Sequence, residues 1–224
     1  MKIVAVIPAY NEAVVISGVV NGLKPYADCV VVDDGSVDST GELARRAGAI
    51  VIRHLINRGQ GAALETGRRY ALQLGADIIV HFDADGQHDS KDIAVMVEPI
   101  AKGEVDVTLG SRFLGETVAL PFTRRLVLRL GILFTKFFSG LKLSDVHNGL
   151  RAFSRAAAEE IRLTHDGMAH ASEILDIIAE KNLRYKEVPV TIHYTAYSLA
   201  RGQGSLNGLQ IIKKLIIEKF FHNQ

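Results

Sequence analysis

The chain has 224 residues, 48% hydrophobic and 23% charged, a length and composition that suit one compact soluble domain with a full core. With 26 basic against 25 acidic side chains the net charge is +1, which excludes a general nucleic-acid-binding surface and requires any basic patch to be local. A single cysteine excludes a disulfide or a Cys-rich metal site within the chain, and Arg and Lys interrupt every apolar run before the roughly 20 residues that span a bilayer.

The β-branched run from Lys2 to Ile7 predicts a first strand, ending at Pro8-Ala9-Tyr10-Asn11-Glu12, with a helix from Ala13 to Leu23. No basic segment and apolar core of a secretory signal precede that strand, so the cytoplasm is the expected compartment. Cys29 to Val32 reads as a second strand with Cys29 as a buried core thiol. It ends in Asp33-Asp34-Gly35-Ser36 and leads through Val37-Asp38-Ser39-Thr40 into a helix as far as Ala47. Asp34 suits a hydrogen bond to a ribose or base, whereas Asp33 equally suits capping of the next segment. Ala49 to Ile52 makes a third strand and Ala62 to Leu74 a helix. The Asn57-Arg58-Gly59-Gln60-Gly61 stretch between them reads either as a phosphate-binding loop or as a turn that needs positive φ.

Ile78-Ile79-Val80-His81-Phe82 is an apolar run that ends abruptly in Asp83-Ala84-Asp85-Gly86-Gln87-His88. It reads as a buried parallel strand carrying two carboxylates to the edge of the sheet. Asp83 and Asp85 supply hard oxygen ligands suited to Mg²⁺ or Mn²⁺, ions that bridge carboxylates to a substrate's phosphates, so a diphosphate substrate is implied. The alternative is a solvated Asp-rich turn in which Asp89 or Ser90 caps the next helix. That helix spans Ile93 to Ala101, and a strand follows from Val105 to Leu109. Strands alternating with helices predict a doubly wound, mostly parallel α/β sheet with its ligands at the strands' C-terminal ends.

The second half has a different texture. No Asp or Glu lies between Glu116 and Asp145, while Arg124, Arg125, Arg129, Lys136 and Lys142 are interleaved with Leu, Ile and Phe. At about 100° per residue, Arg125, Arg129 and Lys136 form a narrow basic stripe on an apolar helix. Such a helix suits a membrane interface, or else a core or subunit-packing position with snorkelling cations. His170, Glu173 and Asp176 fall at helical spacing and read as an exposed polar face rather than a second metal site. Tyr185 to His193 predicts a last strand, with Pro189 marking an edge or bulge. Ser198 to Ser205 has the composition of a mobile flap, and Leu206 to Phe221 that of an apolar helix carrying Lys213, Lys214 and Lys219.

The five motifs around Pro8-Ala9-Tyr10-Asn11-Glu12, Val31-Val32-Asp33-Asp34-Gly35-Ser36, Asn57-Arg58-Gly59-Gln60-Gly61, Asp83-Ala84-Asp85-Gly86-Gln87-His88 and Gly110-Ser111-Arg112-Phe113 stand in the order seen in family-two inverting glycosyltransferases. Over nearly its whole length the chain resembles the polyprenyl-phosphate sugar synthases, dolichol-phosphate mannose synthases among them. The resemblance implies a GT-A, nucleotide-diphospho-sugar transferase fold in a single catalytic domain, with residues 1–115 as the nucleotide-sugar half. Residues 116–224 would form the acceptor half, with amphipathic helices over 121–141 and 205–222. It also implies that Pro8, Tyr10, Glu12, Val32 and Asp34 hold the nucleoside of a GDP- or UDP-sugar. Asp83, Ala84, Asp85 and Gln87 would handle the divalent metal and the diphosphate. Arg201, in the flap, would reach that diphosphate. In the segment from Asp145 to Arg151, His147-Asn148 and Leu150 depart from the commoner Thr-Ser and Phe, and Gln203 and Ser205 stand where the family often has Lys.

The expected reaction moves a sugar from a nucleotide diphosphate to a dolichyl or undecaprenyl phosphate with inversion, at the cytoplasmic face of a membrane. A metal on Asp83 and Asp85, with Arg201 above, would stabilise the leaving diphosphate. A phosphate monoester with a second pKa near 6 needs no general base, only cations to position it, and Arg124 and Arg112 are the candidates, with Arg151 behind them. Transfer to a sugar hydroxyl would instead need a carboxylate base, for which Asp145 is the candidate. A catalytically silent nucleotide-sugar-binding subunit docked by the amphipathic helices is the third reading. Attachment through an integral-membrane partner or a homo-oligomer is compatible with each.

Overall fold

A computed structural model describes residues 1–114, 117–118, 141–146, 148–194 and 197. The β-branched runs form strands β1 (Ile3–Ala9), β2 (Asp28–Asp33), β3 (Ile50–Arg53), β4 (Ile78–His81) and β5 (Val107–Ser111). Further strands are β6 (Thr117–Val118), β7 (Arg151–Ser154), β8 (Tyr185–Pro189) and β9 (Ile192–His193). The helices are α1 (Ile16–Leu23), α2 (Thr40–Arg46), α3 (Gln60–Gln73), α4 (Asp92–Ala101), α5 (Arg155–Glu160) and α6 (His170–Glu180).

Seven strands make one sheet in the order β3-β2-β1-β4-β7-β5-β8, and β6 pairs in parallel with β9 beside it. Within the large sheet every strand runs the same way except β7, which is antiparallel to both β4 and β5. Alternation of side chains splits the core in two. Ala5, Ile7, Val31, Val80 and Phe82 pack with Ile16, Leu23, Ile93 and Met96 from α1 and α4 on one face. Val4, Val6, Val32, Ile79 and Phe153 pack with Leu64, Ala71, Ile174 and Ile178 from α3 and α6 on the other. Burial on both faces is why β4 reads as an unbroken apolar run.

From β1 the chain steps outward through β2 to β3, then returns to β4 on the other side of β1. That reversal opens a crevice beyond the C-terminal ends of β1 and β4, the place where α/β sheets bind ligands.

Two features differ from the sequence reading. β7 and α5 were not foreseen, because a four-residue strand beginning at an arginine carries no period of its own. The expected strand from Tyr185 to His193 is two strands, β8 on the sheet edge and β9 turned away to β6. Pro189 ends β8 with no N–H to offer a further ladder, and the Thr191 N–H goes instead to Asp92 Oδ2 at 2.7 Å. Cys29 is buried as expected, and burial followed by the charge of Asp28 pushes its thiol up to about 11, so it is inert. The expected amphipathic helices over 121–141 and 205–222 lie outside the described residues, apart from Leu141. Among the described residues, no helix is long and apolar enough to cross a membrane.

Helix α3 approaches β1 and β2 as closely as Gly67 permits: a Cβ there would overlap Val6 Cγ1 and lie 3.2 Å from Val32 Cγ2. Gly67→Ala therefore lowers stability by about 1 to 3 kcal/mol through overpacking, although alanine is the better helix former by about 1 kcal/mol. Urea unfolding measures the change, and an unaltered or raised midpoint would contradict the close seating.

Candidate active site

The loops after β1 and β2 are laced together before any ligand arrives. Asn11, at φ 55°, donates its backbone N–H to Ser36 Oγ at 2.9 Å and accepts from the Val37 N–H at 2.9 Å. The Glu12 N–H donates to Thr40 Oγ1 at 2.7 Å, and the Glu12 carboxylate accepts from the Tyr197 hydroxyl at 2.8 Å. Tyr10 is exposed at the mouth of the crevice. Pro8 lies buried in β1 beside Val32.

Two of the residues expected at the nucleoside have other duties. The Val32 side chain is wholly buried beneath α3, so only its backbone faces the crevice end of the strand. The Asp34 carboxylate accepts from Arg58 N at 3.0 Å, Gly59 N at 2.7 Å and His54 Nδ1 at 2.6 Å. It thereby fastens the glycine-bearing loop, a turn with Gly59 at φ 109° whose Arg58 and Gly59 N–H groups are both held by Asp34. Asp33 takes the capping role, accepting from Ser36 N at 2.9 Å.

At the end of β4 the period of two sends Ile79, His81 and Asp83 toward α3 and α6, and Phe82 and Ala84 into the opposite core. Ala84 is thus buried rather than facing the crevice. Asp83 Oδ1 accepts from Gln60 Nε2 at 2.9 Å, and His88 Nε2 lies 3.2 Å from Oδ2. Gly149 closes the far side, since a Cβ there would overlap Asp83 Oδ2. Burial raises the Asp83 carboxyl, but the hydrogen bond and charge of His88, with His170 and Arg151, outweigh it and hold the group below its ordinary range. Asp85 behaves oppositely. Burial first, then the negative charge of Asp83, push it up to about 6, against a hydrogen bond from Gln87 N at 3.0 Å.

A carboxylate whose ionisation is opposed by burial and by a neighbouring carboxylate has the electrostatic deficit that a divalent cation removes. The oxygen donors suit Mg²⁺ or Mn²⁺. Among the described residues no three His, Cys, Asp or Glu side chains gather as a closed cage, so the pair suits an ion that completes its shell with phosphate oxygens and water. Gln87 serves this loop through its backbone, its carbonyl accepting from His193 N at 2.8 Å.

Arg112 Nε donates to Asp145 Oδ2 at 2.6 Å, and its Nη1 donates to the Tyr194 hydroxyl at 2.9 Å. Arg112 is therefore bound into a buried ion pair rather than held out toward an acceptor. Burial works to lower the Arg112 pKa, but Asp145 and Tyr194 overcome it and leave it raised. Arg151 lies beside Asp83 on the same cavity. It is buried, and burial pulls it down to about 10 against the charges of Asp83 and Asp145. His170 faces inward beside Asp83, contrary to the exposed face expected for it, while Glu173 accepts from the Thr164 and His165 N–H groups. Arg124 and Arg201 lie outside the described residues. Gln60, His81 and His88 were given no role of their own from sequence, and Asn148 stood there only as a departure from the family's commoner residue. His88 stood inside the Asp83 motif and Gln60 inside the glycine loop, and only the fold brings them to one carboxylate.

Residues 4–162 match the family model described as Glycosyl transferase family 2. An uncharacterised protein of Methanocaldococcus jannaschii is 40% identical over 227 residues, spanning 98% of this chain and 93% of that protein. The UDP-N-acetylglucosamine–dolichyl-phosphate N-acetylglucosaminyltransferase of Methanococcus voltae is 38% identical, across 96% of this chain and 94% of the enzyme. The undecaprenyl-phosphate mannosyltransferase of Micrococcus luteus is 29% identical, across 95% and 92%. Among solved structures, Mycobacterium tuberculosis glucosyl-3-phosphoglycerate synthase in complex with Mn²⁺, UDP and phosphoglyceric acid shares the fold. Its TM-score is 0.71 over 93% of this chain and 76% of that chain, at 20% identity.

The raised Asp85 carboxyl has a measurable consequence. Because its folded value of about 6 exceeds the ordinary value near 3.8, the folded state binds the proton more tightly. Stability of the metal-free protein is then greatest on the acid side and falls as pH rises from about 4 to about 6. Asp85→Asn removes that loss and stabilises the protein in EDTA at pH 7 by about 1 to 3 kcal/mol, with the difference vanishing toward pH 4. Thermal unfolding across pH checks it; a variant less stable than the parent at pH 7 would mean that the protein itself already neutralises Asp85.

Proposed function

The chain belongs to glycosyl transferase family 2, and from that premise we propose that it moves a sugar from a UDP- or GDP-sugar to a polyprenyl phosphate, inverting the anomeric carbon. The observation that carries this reading is the Asp83–Asp85 pair at the crevice between β1 and β4, poised for a cation that also binds a diphosphate. The Methanococcus voltae and Micrococcus luteus relatives, each spanning nearly the whole chain, are named for transfer to dolichyl and undecaprenyl phosphate and support the acceptor class.

In the proposed step the bond from the anomeric carbon to the diphosphate oxygen breaks, and its electron pair leaves with the nucleoside diphosphate. An oxygen of the acceptor phosphate forms the new bond from the opposite face. Asp83 and Asp85 would hold Mg²⁺ or Mn²⁺, which when bound supplies charge neutralisation for the departing diphosphate. Gln60 and His88 fix Asp83, and the Gln87 N–H fixes Asp85, so the two carboxylates keep their places as charge moves. The acceptor monoester, with its second pKa near 6, is already ionised at neutral pH and needs no base. Asp145, the base that a hydroxyl acceptor would need, is bound to Arg112 at 2.6 Å, which favours the phosphate. Arg201 closing on the donor and Arg124 on the acceptor belong to the same proposal.

Because the acceptor resides in a bilayer, we place the protein peripherally on the cytoplasmic face, through the basic and apolar 121–141 segment with help from 205–222. An integral-membrane partner or self-association would add to this.

Purified protein with Mg²⁺ or Mn²⁺, radiolabelled UDP- and GDP-sugars and a short polyprenyl phosphate should yield an organic-extractable labelled lipid. EDTA should abolish it, and Asp85→Ala should reduce it by at least about a hundredfold while the fold persists. Label appearing only on hydroxyl acceptors, or unaltered turnover of the variant, would reject the reading.

Replacing Arg125, Arg129 and Lys136 together by Gln should weaken sedimentation with anionic vesicles, each cation being worth on the order of 1 kcal/mol near such a surface. Phe137→Ser with Phe138→Ser should weaken sedimentation with neutral vesicles as well. Binding equal to the parent in both variants would move the membrane contact elsewhere.

A further inference from the structure

A cavity of about 90 Å³ opens beside Asp83, between α3, α6 and the start of β7. Its polar side holds groups without partners. Asn148 is 3% exposed; its Oδ1 accepts from Leu150 N at 2.9 Å, which leaves Nδ2 as a buried donor with no acceptor. His81, 2% exposed, has its Nε2 likewise unmatched. Arg151 contributes a buried guanidinium that meets two main-chain carbonyls, of Asn148 and Ala171, at 3.3 and 3.4 Å. Among the described residues no carboxylate lies within ion-pair distance of it. A buried polar group left unmatched costs about 1 to 3 kcal/mol, so several around one cavity mark a place for a ligand. The apolar part of the lining is made by Leu64, Met168, Ala171 and Ile174.

The relatives carry an acetamido hexose in one case and mannose in another, so likeness leaves the sugar open. The cavity narrows it. At roughly 10 to 15 Å³ per water in this measure, it takes a group of several atoms, more than one hydroxyl and far less than a nucleotide or a prenyl chain. An acetamido group has a methyl for the Leu64–Ala171–Ile174 wall, a carbonyl oxygen for Asn148 Nδ2 and Arg151, and an N–H for the Asp83 carboxylate. A sugar carboxylate would satisfy Arg151 but would face Asp83, a like charge on the same cavity. A plain hydroxyl leaves the apolar wall bare and a donor unmatched.

We infer that this cavity receives the acetamido substituent of a 2-acetamido-hexose donor, with Asn148 as the residue that sets the choice of sugar. The inference rests on the transferase reading of the Asp83–Asp85 site and deepens it.

The test compares UDP- and GDP-linked hexoses with their 2-acetamido counterparts, by calorimetric binding to the full chain with Mn²⁺ and by kcat/KM for transfer to a short polyprenyl phosphate. The parent should favour an acetamido donor at least tenfold. Asn148→Asp keeps the acceptor for Leu150 N and removes the Nδ2 donor. Ala171→Leu fills the methyl space from the apolar part of the lining. Each should cut the acetamido-to-hexose ratio at least tenfold, mainly through KM. Equal or better use of a plain hexose by the parent, or an unchanged ratio in both variants, overturns the inference while leaving the lipid-phosphate reading in place. Selective binding of an acetamido donor without transfer to lipid phosphate does the reverse, and a chain that binds no nucleotide sugar overturns both.

Discussion

Two negative charges cannot be brought together at the dry end of a central strand without help, and most of the architecture around β4 answers that constraint. Asp83 receives it from Gln60, His88 and the more distant Arg151 and His170. Asp85 accepts a single backbone N–H, from Gln87, which with the charge of His88 does not offset its burial and the charge of Asp83, so its carboxyl stays above its ordinary range. The asymmetry gives the two carboxylates different characters. One is a fixed, charged element held by its neighbours, and the other carries an electrostatic cost that a bound cation would relieve.

The loops follow from the same economy of partners. Asp34, expected from the family resemblance to hold a nucleoside, spends its oxygens on the 58–59 backbone and on His54. That fastening places Gln60 at the start of α3 within 2.9 Å of Asp83. A residue two strands from the metal-ligand pair therefore controls its geometry, through a glycine turn that alone resembles a phosphate loop. Arg112 and Asp145 repeat the pattern: a cation and a base that each had a chemical reading in the sequence neutralise one another.

The alternating strands and helices, the inert Cys29 and the carboxylates at the end of β4 were all legible because each leaves a local mark: a β-branched run, an apolar neighbourhood, a sudden change of polarity. The antiparallel β7, the inward turn of His170 and the partnership of Gln60 and His88 with Asp83 leave none. They depend on residues far apart in the chain meeting across a sheet, and on which face of a helix the core claims. His170 shows the limit plainly: its spacing with Glu173 and Asp176 is that of a solvent-facing stripe, yet the cavity beside Asp83 takes it in.

The position of β7 bears on how the chain comes to be folded. Strands β4 and β5 flank a slot that only Arg151–Ser154 fills, and those residues are made some forty positions after β5 ends. During synthesis the first five strands emerge with β4 bare on the side that β7 will take and β5 bare on both sides, since its neighbours β7 and β8 are made later. The first half of the chain thus cannot close its own sheet, and a nascent chain stalled before residue 151 would present those edges to its neighbours. Keying the slot with a strand whose first residue is Arg151, partner in register to His81, ties completion of the sheet to assembly of the chemistry beside it.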